Sequence, residues 1–325
     1  MKTPLVSVII INWNGKKLLR DCLRSLSGQS FKGFRIIVVD NGSTDGSIEF
    51  LHSHYPKIRI IRFEKNLGFA KAANHGIKAS SSKYIVLLNN DTKADSYYLE
   101  RMTKILEKWN KFCGVAPKVL NFFKPDIIDS AGDMMNVVGQ AFHRGYGDKS
   151  NEWNYPGEVS LITGGASAFR KEIFEKIGLF DEDFFAYGED VDWCLRAWLA
   201  GYKFWYEPKA IVYHHHKATA QRIPKIIEYL QFRNMTLIIL KNFPWRLFFK
   251  RWRFITIPLI HFNTILYMAF HGLLKEALLA DWWILTHLSH ILKKRWKIQR
   301  IRKVNVNYLD SQMAPKKIRL WGLLK

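Results

Sequence analysis

The sequence contains little cysteine, comparatively few acidic residues and none of the common glycine-rich nucleotide loops. Its three cysteines, Cys22, Cys113 and Cys194, are far apart and lack the spacing of metal ligands. This pattern excludes a disulfide framework and predicts a reducing compartment. No Gly-x-Gly-x-x-Gly follows the first predicted strand, and no Gly-Lys-Ser/Thr follows the turn after Asp40. A dinucleotide-binding fold is therefore disfavoured, and the turn is not a P-loop.

The shortage of acidic residues is concentrated in the C-terminal third. The 325 residues include 50 Lys or Arg against 28 Asp or Glu, a net charge of +22. Residues 217–325 hold 21 of those basic residues and 4 of the acidic ones, whereas residues 1–216 are nearly neutral. Such a basic region indicates an anionic partner, for which nucleic acid, acidic lipid and a phosphorylated substrate all qualify.

Several early segments share one arrangement, in which an apolar β-branched run and a polar tip are followed by a helical pattern. It occurs in VSVIIINWNG, FRIIVVDNGSTDGS and KYIVLLNNDT. The first has too short an apolar run for a signal peptide and no small-residue cleavage site, so we interpret it as a strand. The alternation predicts an α/β fold with a mostly parallel sheet. Ligands of such sheets bind beyond the carboxyl ends of the strands, where Asn14, Asp40 and Asp91 would cluster.

The strand tip Asn89-Asn90-Asp91 is the first candidate for chemistry. A lone carboxylate after a strand is often a helix N-cap, but two amides and a fully apolar strand precede this one. Mg²⁺ binds carboxylate oxygens together with substrate phosphates, so Asp91, with Asn89 beside it, predicts a metal–diphosphate site. Asp40 is ambiguous, because it fits both an Asx-capped turn and a hydrogen bond to a nucleobase or ribose.

The segment FFAYGEDVDWCLRAWLAGY carries the strongest signal. Its acids Glu189, Asp190 and Asp192 crowd the start of a predicted helix. The helix dipole and an Asp192–Arg196 pair account for Asp192. They do not account for two adjacent acids after an aromatic loop. A carboxylate at that place would accept the proton of an attacking hydroxyl.

A histidine-rich strand end, VYHHHKA, follows. Side chains alternate along a strand, so His214 and His216 would point away from His215. His214 fits a metal ligand or a diphosphate contact, and it equally fits a structural histidine.

Residues 223–325 form a second predicted region that is helical, basic and rich in aromatics. Within it, Phe254–Leu274 runs for 21 residues without Asp, Glu, Lys or Arg, which is long enough to span a bilayer. The run also contains Pro258, His261 and Asn263, so we favour an interfacial or re-entrant helix over a membrane span. Basic clusters beside Trp and Phe fit an anionic membrane surface, where each Lys or Arg is worth roughly 1 kcal/mol.

In their order along the chain, these motifs resemble family 2 glycosyltransferases, and most of all the rhamnosyltransferase-like branch of bacterial surface-polysaccharide enzymes. The resemblance covers residues 5–220 through VSVIIINWNG, VVDNGSTDGS, NLGFAKAANHG, LLNNDT, GGASAFRKEIFEKIGLFDEDFFAYGEDVDWCLR and VYHHHKAT. It implies a GT-A fold for residues 1–222, with a mostly parallel sheet flanked by helices. Residues 223–325 would then be a helical, membrane-associating region.

The resemblance also implies roles for residues of this sequence. Asp190 matches the catalytic base, with Glu189 next to it. Asp91 matches the last position of the family's Asp-x-Asp metal motif, in which Asn89 replaces the first Asp, and His214 matches the late histidine near a Mg²⁺ or Mn²⁺ ion. The donor nucleotide side comprises Asn14, Asp40, Asn66, Gly68, Asn74, Asn89 and Asn90, and the acceptor side comprises Gly164 and Gly165.

From the resemblance we expect inverting transfer of one sugar from a nucleotide-diphosphate donor. Processive members carry Gln-x-x-Arg-Trp, and neither Arg251-Trp252 nor Arg295-Trp296 has that Gln. The first expected donor is dTDP-rhamnose, followed by UDP-galactose or UDP-galactofuranose. The expected acceptor is a hydroxyl of a lipid-linked glycan at the cytoplasmic face of the bacterial inner membrane, where the enzyme is peripheral or monotopic.

Two alternatives stay open. One is a polyprenyl-phosphate sugar synthase of the same fold, against which the acids at Glu189 and Asp190 argue. The other is a non-enzymatic protein that binds membranes or nucleic acid, as the charge alone would indicate. The acidic strand tips argue against nucleic acid as a partner.

Overall fold

The computed structural model describes residues 4–215 and 223–314. In this part of the chain, one large sheet holds ten strands and a separate hairpin holds two. The strands are β1 (Val6–Asn12), β2 (Phe34–Asp40), β3 (Arg59–Arg62), β4 (Tyr84–Asn89), β5 (Thr92–Ala94), β6 (Phe112–Asn121), β7 (Ile128–Ser130), β8 (Asp133–Met135), β9 (Ala141–His143), β10 (Gly157–Val159), β11 (Ala168–Arg170) and β12 (Lys203–His214).

The large sheet is parallel on one side and mixed on the other. Its strand order is β10-β12-β6-β11-β4-β1-β2-β3, with β5 paired to β12 and β7 to β6. β1 is parallel to both β2 and β4, and β3 continues this parallel part. β11 is antiparallel to its neighbours β4 and β6. The expectation of an α/β fold with a central sheet is confirmed.

The sheet separates two apolar cores because side chains of a strand alternate between its faces. Ile9 and Leu87 belong to one core, whereas Ile10 and Leu88 belong to the other. The helices that cover them are α1 (Lys16–Ser27), α2 (Ser47–His54), α3 (Phe69–Ala79), α4 (Tyr98–Lys108), α5 (Lys171–Ile177), α6 (Glu189–Leu199), α7 (Pro224–Asn242), α8 (Trp245–Phe249), α9 (Arg253–Phe270), α10 (Leu274–Thr286), α11 (Leu288–Arg300) and α12 (Val306–Gln312). Short 3₁₀ turns lie at Glu182–Phe184 and Lys250–Trp252.

The C-terminal helices continue one of these cores. Leu237 and Ile238 of α7 are buried in the same apolar cluster as Trp193 and Trp198 of α6. The predicted boundary between residues 222 and 223 adjoins residues 216–222, which lie outside the described part of the chain. The division into regions 1–222 and 223–325 therefore stays a prediction.

A buried charge network joins α6 to α7 and α11. Lys241 Nζ of α7 lies 2.5 Å from Asp181 Oδ2 and 2.7 Å from Asp192 Oδ1. Lys294 Nζ of α11 lies 2.5 Å from the other oxygen of Asp181. Burial by itself would raise the pKa of Asp181, but the two lysines outweigh it and hold that pKa below its usual range. The helices at the end of the chain thus neutralise carboxylates that precede β12.

Two C-terminal helices expose apolar faces to solvent. The exposed side chains recur every three or four residues, as Ile255, Leu259, Phe262, Leu266 and Phe270 on α9 and as Leu274, Leu278, Trp282 and Leu285 on α10. Among the described residues, one helical stretch, Trp245–Phe270, has the length and composition to cross a membrane, and an 18-residue window within it has a mean hydropathy of 1.2. Left-handed backbone at Arg251 and Trp252 interrupts this stretch.

Candidate active site

The carboxyl ends of β1, β2 and β4 meet at one edge of the sheet. Asn12 at the end of β1 pairs with Asp40 at the end of β2, and Ile11 pairs with Asn89 at the end of β4. Because the three strands end level with one another, the polar residues that follow them form a single edge. The sequence prediction placed ligand binding at this edge.

Hydrogen bonds tie these strand ends together. Asn90 Nδ2 donates to Asn12 Oδ1 at 2.7 Å, and Asn12 Nδ2 donates to Asp40 Oδ2 at 3.0 Å. The other oxygen of Asp40 accepts from the backbone N–H of Ser43 at 2.9 Å, and Ser43 Oγ accepts from the N–H of Asn14 at 2.9 Å. Asp40 is fully buried. Asp40 therefore fixes Ser43 directly and Asn14 through Ser43. Its direct contact with a nucleobase stays a prediction.

Asp91 and His214 lie next to each other at the same edge. Antiparallel pairing of β5 with β12 sets Thr92 opposite His214, and the His215 N–H donates to the Asp91 carbonyl at 2.9 Å. His214 Nε2 is 3.5 Å from Asp91 Oδ1, and Nδ1 is 3.3 Å from Asp129 Oδ2. Burial lowers the pKa of His214, but the two carboxylates outweigh it and raise that pKa to about 9.

These residues fit a divalent cation that shares its coordination with a substrate. Asp91 Oδ1 is buried and, apart from the 3.5 Å approach of His214 Nε2, accepts no hydrogen bond from any residue that the structure describes. No group of three or more His, Cys, Asp or Glu within 4–215 and 223–314 is arranged to hold a metal ion. A carboxylate without a closed protein cage suits Mg²⁺ or Mn²⁺ held jointly with phosphate oxygens. His214 would join such a site only in its neutral form, because a ligating imidazole must be deprotonated.

The predicted acceptor wall lies between this edge and the acids of α6. Gly165 O accepts the Asn89 N–H at 2.7 Å, and a Cβ on Gly165 would approach Asn89 Nδ2 to 2.8 Å. The N–H of Gly164 donates to Asp190 Oδ2 at 2.8 Å. Two adjacent glycines therefore let the backbone pass closely between the strand tip and Asp190.

Burial raises the pKa values of both acids that begin α6. Glu189 is the more deeply buried, its Oε2 accepts no hydrogen bond among the described residues, and its pKa is well above the ordinary value. Asp190 has a raised pKa as well, first through burial and then through Asp133, whereas the Gly164 N–H opposes the shift. Burial therefore favours the protonated form of Glu189, whereas Asp190 accepts backbone hydrogen bonds that favour its ionised form.

The predicted donor-side residues separate into two places. Asn66 and Gly68 lie near the sheet edge, because Asn41 Nδ2 donates to Asn66 Oδ1 at 2.9 Å and to Gly68 O at 3.2 Å. Asn74 is buried farther along α3, where it exchanges hydrogen bonds with the backbone of Phe180 at 2.9 and 3.0 Å. Both polar groups of Asn74 are therefore engaged inside the protein, and its contact with a donor stays a prediction.

The structure adds two features that the motifs did not indicate. His143 Nδ1 lies 2.8 Å from Asp133 Oδ1, and that carboxylate raises the pKa of His143 to about 9. Tyr187 stands just before the acids; burial, then Glu189 and then Asp91, raise its pKa. The charges of Glu189 and Asp91 therefore both act on the Tyr187 hydroxyl. Tyr187 lies in the FFAYGEDVD segment, in which the sequence pattern indicated only the acids. His143 belongs to no motif and meets Asp133 through the pairing of β8 with β9.

The fold and this arrangement define a glycosyltransferase of the GT-A type. The sequence model of glycosyl transferase family 2 matches residues 7–178, and the model described as the N-terminal domain of galactosyltransferase matches residues 144–225. The first match covers more than half of the chain, so the protein belongs to glycosyl transferase family 2. The resemblance inferred from the motifs is confirmed.

Characterised and uncharacterised bacterial proteins share this sequence similarity. The N-acetylglucosaminyl-diphospho-decaprenol L-rhamnosyltransferase of Mycobacterium tuberculosis is 26% identical over 247 residues, which are 68% of this chain and 80% of that enzyme. An uncharacterized glycosyltransferase of Rickettsia prowazekii is 32% identical over 58% of this chain and 57% of its own length. The poly-beta-1,6-N-acetyl-D-glucosamine synthase of Staphylococcus epidermidis is 26% identical over 63% of this chain and 48% of its own length.

Solved structures agree on the fold. GalNAc-T7 with UDP, GalNAc and Mn²⁺ superposes with a TM-score of 0.61 at 14% identity over 90% of this chain, which spans just over half, 57%, of that protein. The mannosyltransferase PcManGT from Pyrobaculum calidifontis, in complex with GDP-Man and Mn²⁺, gives a TM-score of 0.54 at 16% identity over 96% of this chain and 86% of its own. Both complexes contain a divalent metal ion.

Proposed function

We propose that the protein is an inverting, metal-dependent, non-processive hexosyltransferase that adds one sugar to a hydroxyl of a lipid-linked glycan. The observation that carries the proposal is the pair of groups on the two sides of Gly164 and Gly165. Asp91 and His214 would face the donor, and Asp190, anchored by the Gly164 N–H, would face the acceptor. A displacement with inversion needs the leaving diphosphate and the base on opposite sides of the reacting carbon.

Asp91 and His214 would hold a Mg²⁺ or Mn²⁺ ion together with the donor diphosphate. When bound, such an ion stabilises the negative charge that develops on the leaving group. Asn14 and Asn66 lie at the same sheet edge and are proposed to contact the nucleotide. Asn90 fixes the end of β1 through Asn12 and keeps this edge level.

Asp190 would accept the proton of the acceptor hydroxyl. Its Oδ2 accepts the Gly164 N–H and its Oδ1 the Val191 N–H, each at 2.8 Å, which orients the carboxylate and favours its ionised form. Burial disfavours the ionised form of Glu189, so Asp190 is the better candidate for accepting that proton. A raised pKa brings Asp190 closer to the operating pH, where a general base is most effective.

The donor and acceptor classes rest on the relatives. The Mycobacterium tuberculosis enzyme is named for transfer of L-rhamnose to an N-acetylglucosaminyl-diphospho-decaprenol, and this chain covers 80% of it. We therefore place dTDP-rhamnose first among donors and a lipid-linked saccharide first among acceptors. The galactosyltransferase match over residues 144–225 keeps UDP-galactose and UDP-galactofuranose as the next donors to test.

The exposed faces of α9 and α10 would bring the enzyme to its lipid-linked acceptor. Trp282 and Phe262 are 65% and 59% exposed, and basic side chains such as Lys275 and Arg246 are exposed on the same helices or beside them. Arg253, at the start of α9, is fully buried and lies 2.5 Å from Asp310. This end of α9 is therefore fixed within the protein, which favours peripheral or monotopic attachment over a membrane span. We propose the cytoplasmic face because lipid-linked acceptors of this class meet nucleotide-sugar donors there.

A panel of nucleotide sugars tests the proposal directly. Each donor is assayed with and without Mg²⁺ or Mn²⁺, against a lipid-linked saccharide and against a lipid phosphate as acceptors. We expect transfer only with metal and to the saccharide hydroxyl. Asp190→Asn should lower transfer by about 10²–10⁴-fold with donor binding retained, whereas Glu189→Gln should lower it less. Transfer to the lipid phosphate alone would instead identify a polyprenyl-phosphate sugar synthase.

A further inference from the structure

The loop that precedes the proposed base has a strained backbone. Phe185 and Tyr187 have left-handed φ angles of 63° and 67°, and Gly188 follows with 94°. Non-glycine residues rarely adopt this region and keep it only where surrounding contacts enforce it. Something outside the loop must therefore hold residues 185–188.

The same loop lies between the donor side and the acceptor side. Phe185 O accepts the Ala70 N–H of α3 at 3.1 Å, and a side chain at Gly68 would collide with that carbonyl. At its other end the loop runs through Gly188 into Glu189 and Asp190. Movement of the loop would therefore displace both the Gly68 turn and the base.

Asn234 of α7 supplies the contacts that hold the loop. Its Nδ2 lies 3.1, 2.9 and 2.6 Å from the carbonyl oxygens of Phe184, Ala186 and Tyr187. Its Oδ1 accepts from Arg233 Nε and Nη2 at 2.9 and 2.8 Å, which fixes the orientation of the amide. Both side chains are buried.

Arg233 holds the same loop, and we call Asn234 and Arg233 together the clamp. Its Nη2 donates to the carbonyl oxygens of Asp183 at 2.7 Å and Phe184 at 3.0 Å. The guanidinium also lies over the Trp283 ring of α10, 4.5 Å from its centroid. The planar fork satisfies several acceptors at once, which the ammonium of a lysine would not do in the same geometry.

We propose that Asn234, oriented by Arg233, is a positioning residue for transfer, because it fixes the loop that sets Tyr187 and Asp190 relative to the donor side. The inference rests on the proposed function. It assigns part of the active-site geometry to a side chain of the C-terminal region, outside every motif that resembles the family. Misplacement of reacting groups by about 1 Å lowers a rate by about 10²-fold, so the clamp should be seen in kcat.

Asn234→Asp tests the proposal in the full-length protein. The substitution keeps the size and the acceptor that faces Arg233, but it removes the donor to the three carbonyls. Gln231→Glu is the matched control, since it makes the same amide-to-acid change on an exposed residue of the same helix. We expect Asn234→Asp to lower kcat by about 10–10²-fold, with donor KM within about twofold, and Gln231→Glu to change neither.

Hydrogen exchange provides a readout that does not depend on transfer. In the Asn234→Asp variant, amides of residues 184–190 should exchange faster, while those of β1 and β4 keep their protection. If the variant keeps wild-type kcat and wild-type exchange in this loop, the proposal is overturned. A loss of kcat that only parallels the loss of folded protein, as judged by circular dichroism, overturns it as well.

Two further points keep the result interpretable. Should Asn234→Asp fail to fold, Arg233→Lys carries the same test with the same readouts and the same expected losses. Should wild-type protein transfer no sugar under any condition, the proposed function fails, whereas faster loop exchange in the variant would still show the clamp. Normal transfer in the wild type together with an unaffected variant refutes the clamp alone.

Discussion

Replacing Lys241 by methionine should destabilise the whole protein, although Lys241 lies in the C-terminal region. Its side chain is 1% exposed and its ammonium contacts Asp181 and Asp192 at 2.5 and 2.7 Å. Asp192 has no exposed side-chain surface and also pairs with Arg196 at 3.0 Å. Methionine would fill the volume of the lysine stem but leave the two carboxylates with less positive charge nearby.

The expected loss follows from what remains in the interior. Breaking a buried ion pair by removal of one partner typically costs about 3–5 kcal/mol, because the other charge is left uncompensated. Arg196 keeps one oxygen of Asp192 paired, and Lys294 keeps one oxygen of Asp181 paired. We therefore expect the free energy of unfolding to fall by about 3 kcal/mol, at the lower end of that range.

Urea unfolding followed by circular dichroism measures this change. Lys176→Met is the matched control, because Lys176 pairs with Glu172 at 2.7 Å while both side chains are more than half exposed. An exposed pair of this kind contributes about 0–1 kcal/mol. Equal losses in the two variants, both below about 1 kcal/mol, would refute the reasoning from burial.

Three other outcomes follow from the site and the surface. Asp91→Ala should weaken binding of a nucleotide diphosphate in the presence of Mg²⁺ and leave its metal-free binding unchanged; identical titration curves with and without the substitution would remove Asp91 from the metal site. The transfer rate should fall as the pH is lowered, with a midpoint above 3.8, because burial raises the pKa of Asp190 and only its ionised form accepts a proton. The residual rate of Asp190→Asn should not show this fall at low pH. If the fall persists in the variant, another group causes it. The double substitution Phe262→Asp and Trp282→Asp should abolish sedimentation with anionic vesicles. Tyr155→Asp, which changes an aromatic residue that is 89% exposed elsewhere, should not. Release of wild-type protein by high salt alone would show that the apolar faces of α9 and α10 do not insert.

The sheet and its polar edge were predictable because they follow from local patterns. Apolar β-branched runs that end in polar tips predicted the ends of β1, β2 and β4, and parallel pairing then brought Asn12, Asp40 and Asn89 level. That Asp91 and His214 lie close together followed only from the family resemblance. Neither segment contains a pattern that predicts the pairing of β5 with β12. The antiparallel β11 within the sheet was not predicted.

Contacts between distant segments were beyond sequence reasoning. Asn74 matched the donor-side pattern, yet its side chain is bonded to Phe180, 106 residues further along the chain. Asn234 and Lys241 belong to α7, in which polar and apolar residues are not separated onto different faces. Their partners are backbone carbonyls or carboxylates about 50 residues earlier. Only packing decides which buried polar group such a side chain meets. The sequence indicates no more than that a partner is required.

The charge network also imposes an order of events during synthesis. Lys294 is made 113 residues after Asp181, and Lys241 is made 49 residues after Asp192. At a synthesis rate of about 5–20 residues per second, Lys294 is added on the order of 10 s after Asp181. A nascent chain that has not yet released α11 from the ribosome therefore carries an incompletely neutralised interior. Protease resistance of stalled chains should accordingly increase once residue 294 has left the exit tunnel, when the apolar faces of α9 and α10 are already outside. The carboxylates before β12 would gain their last cation only when the exposed apolar faces of α9 and α10 have already left the ribosome.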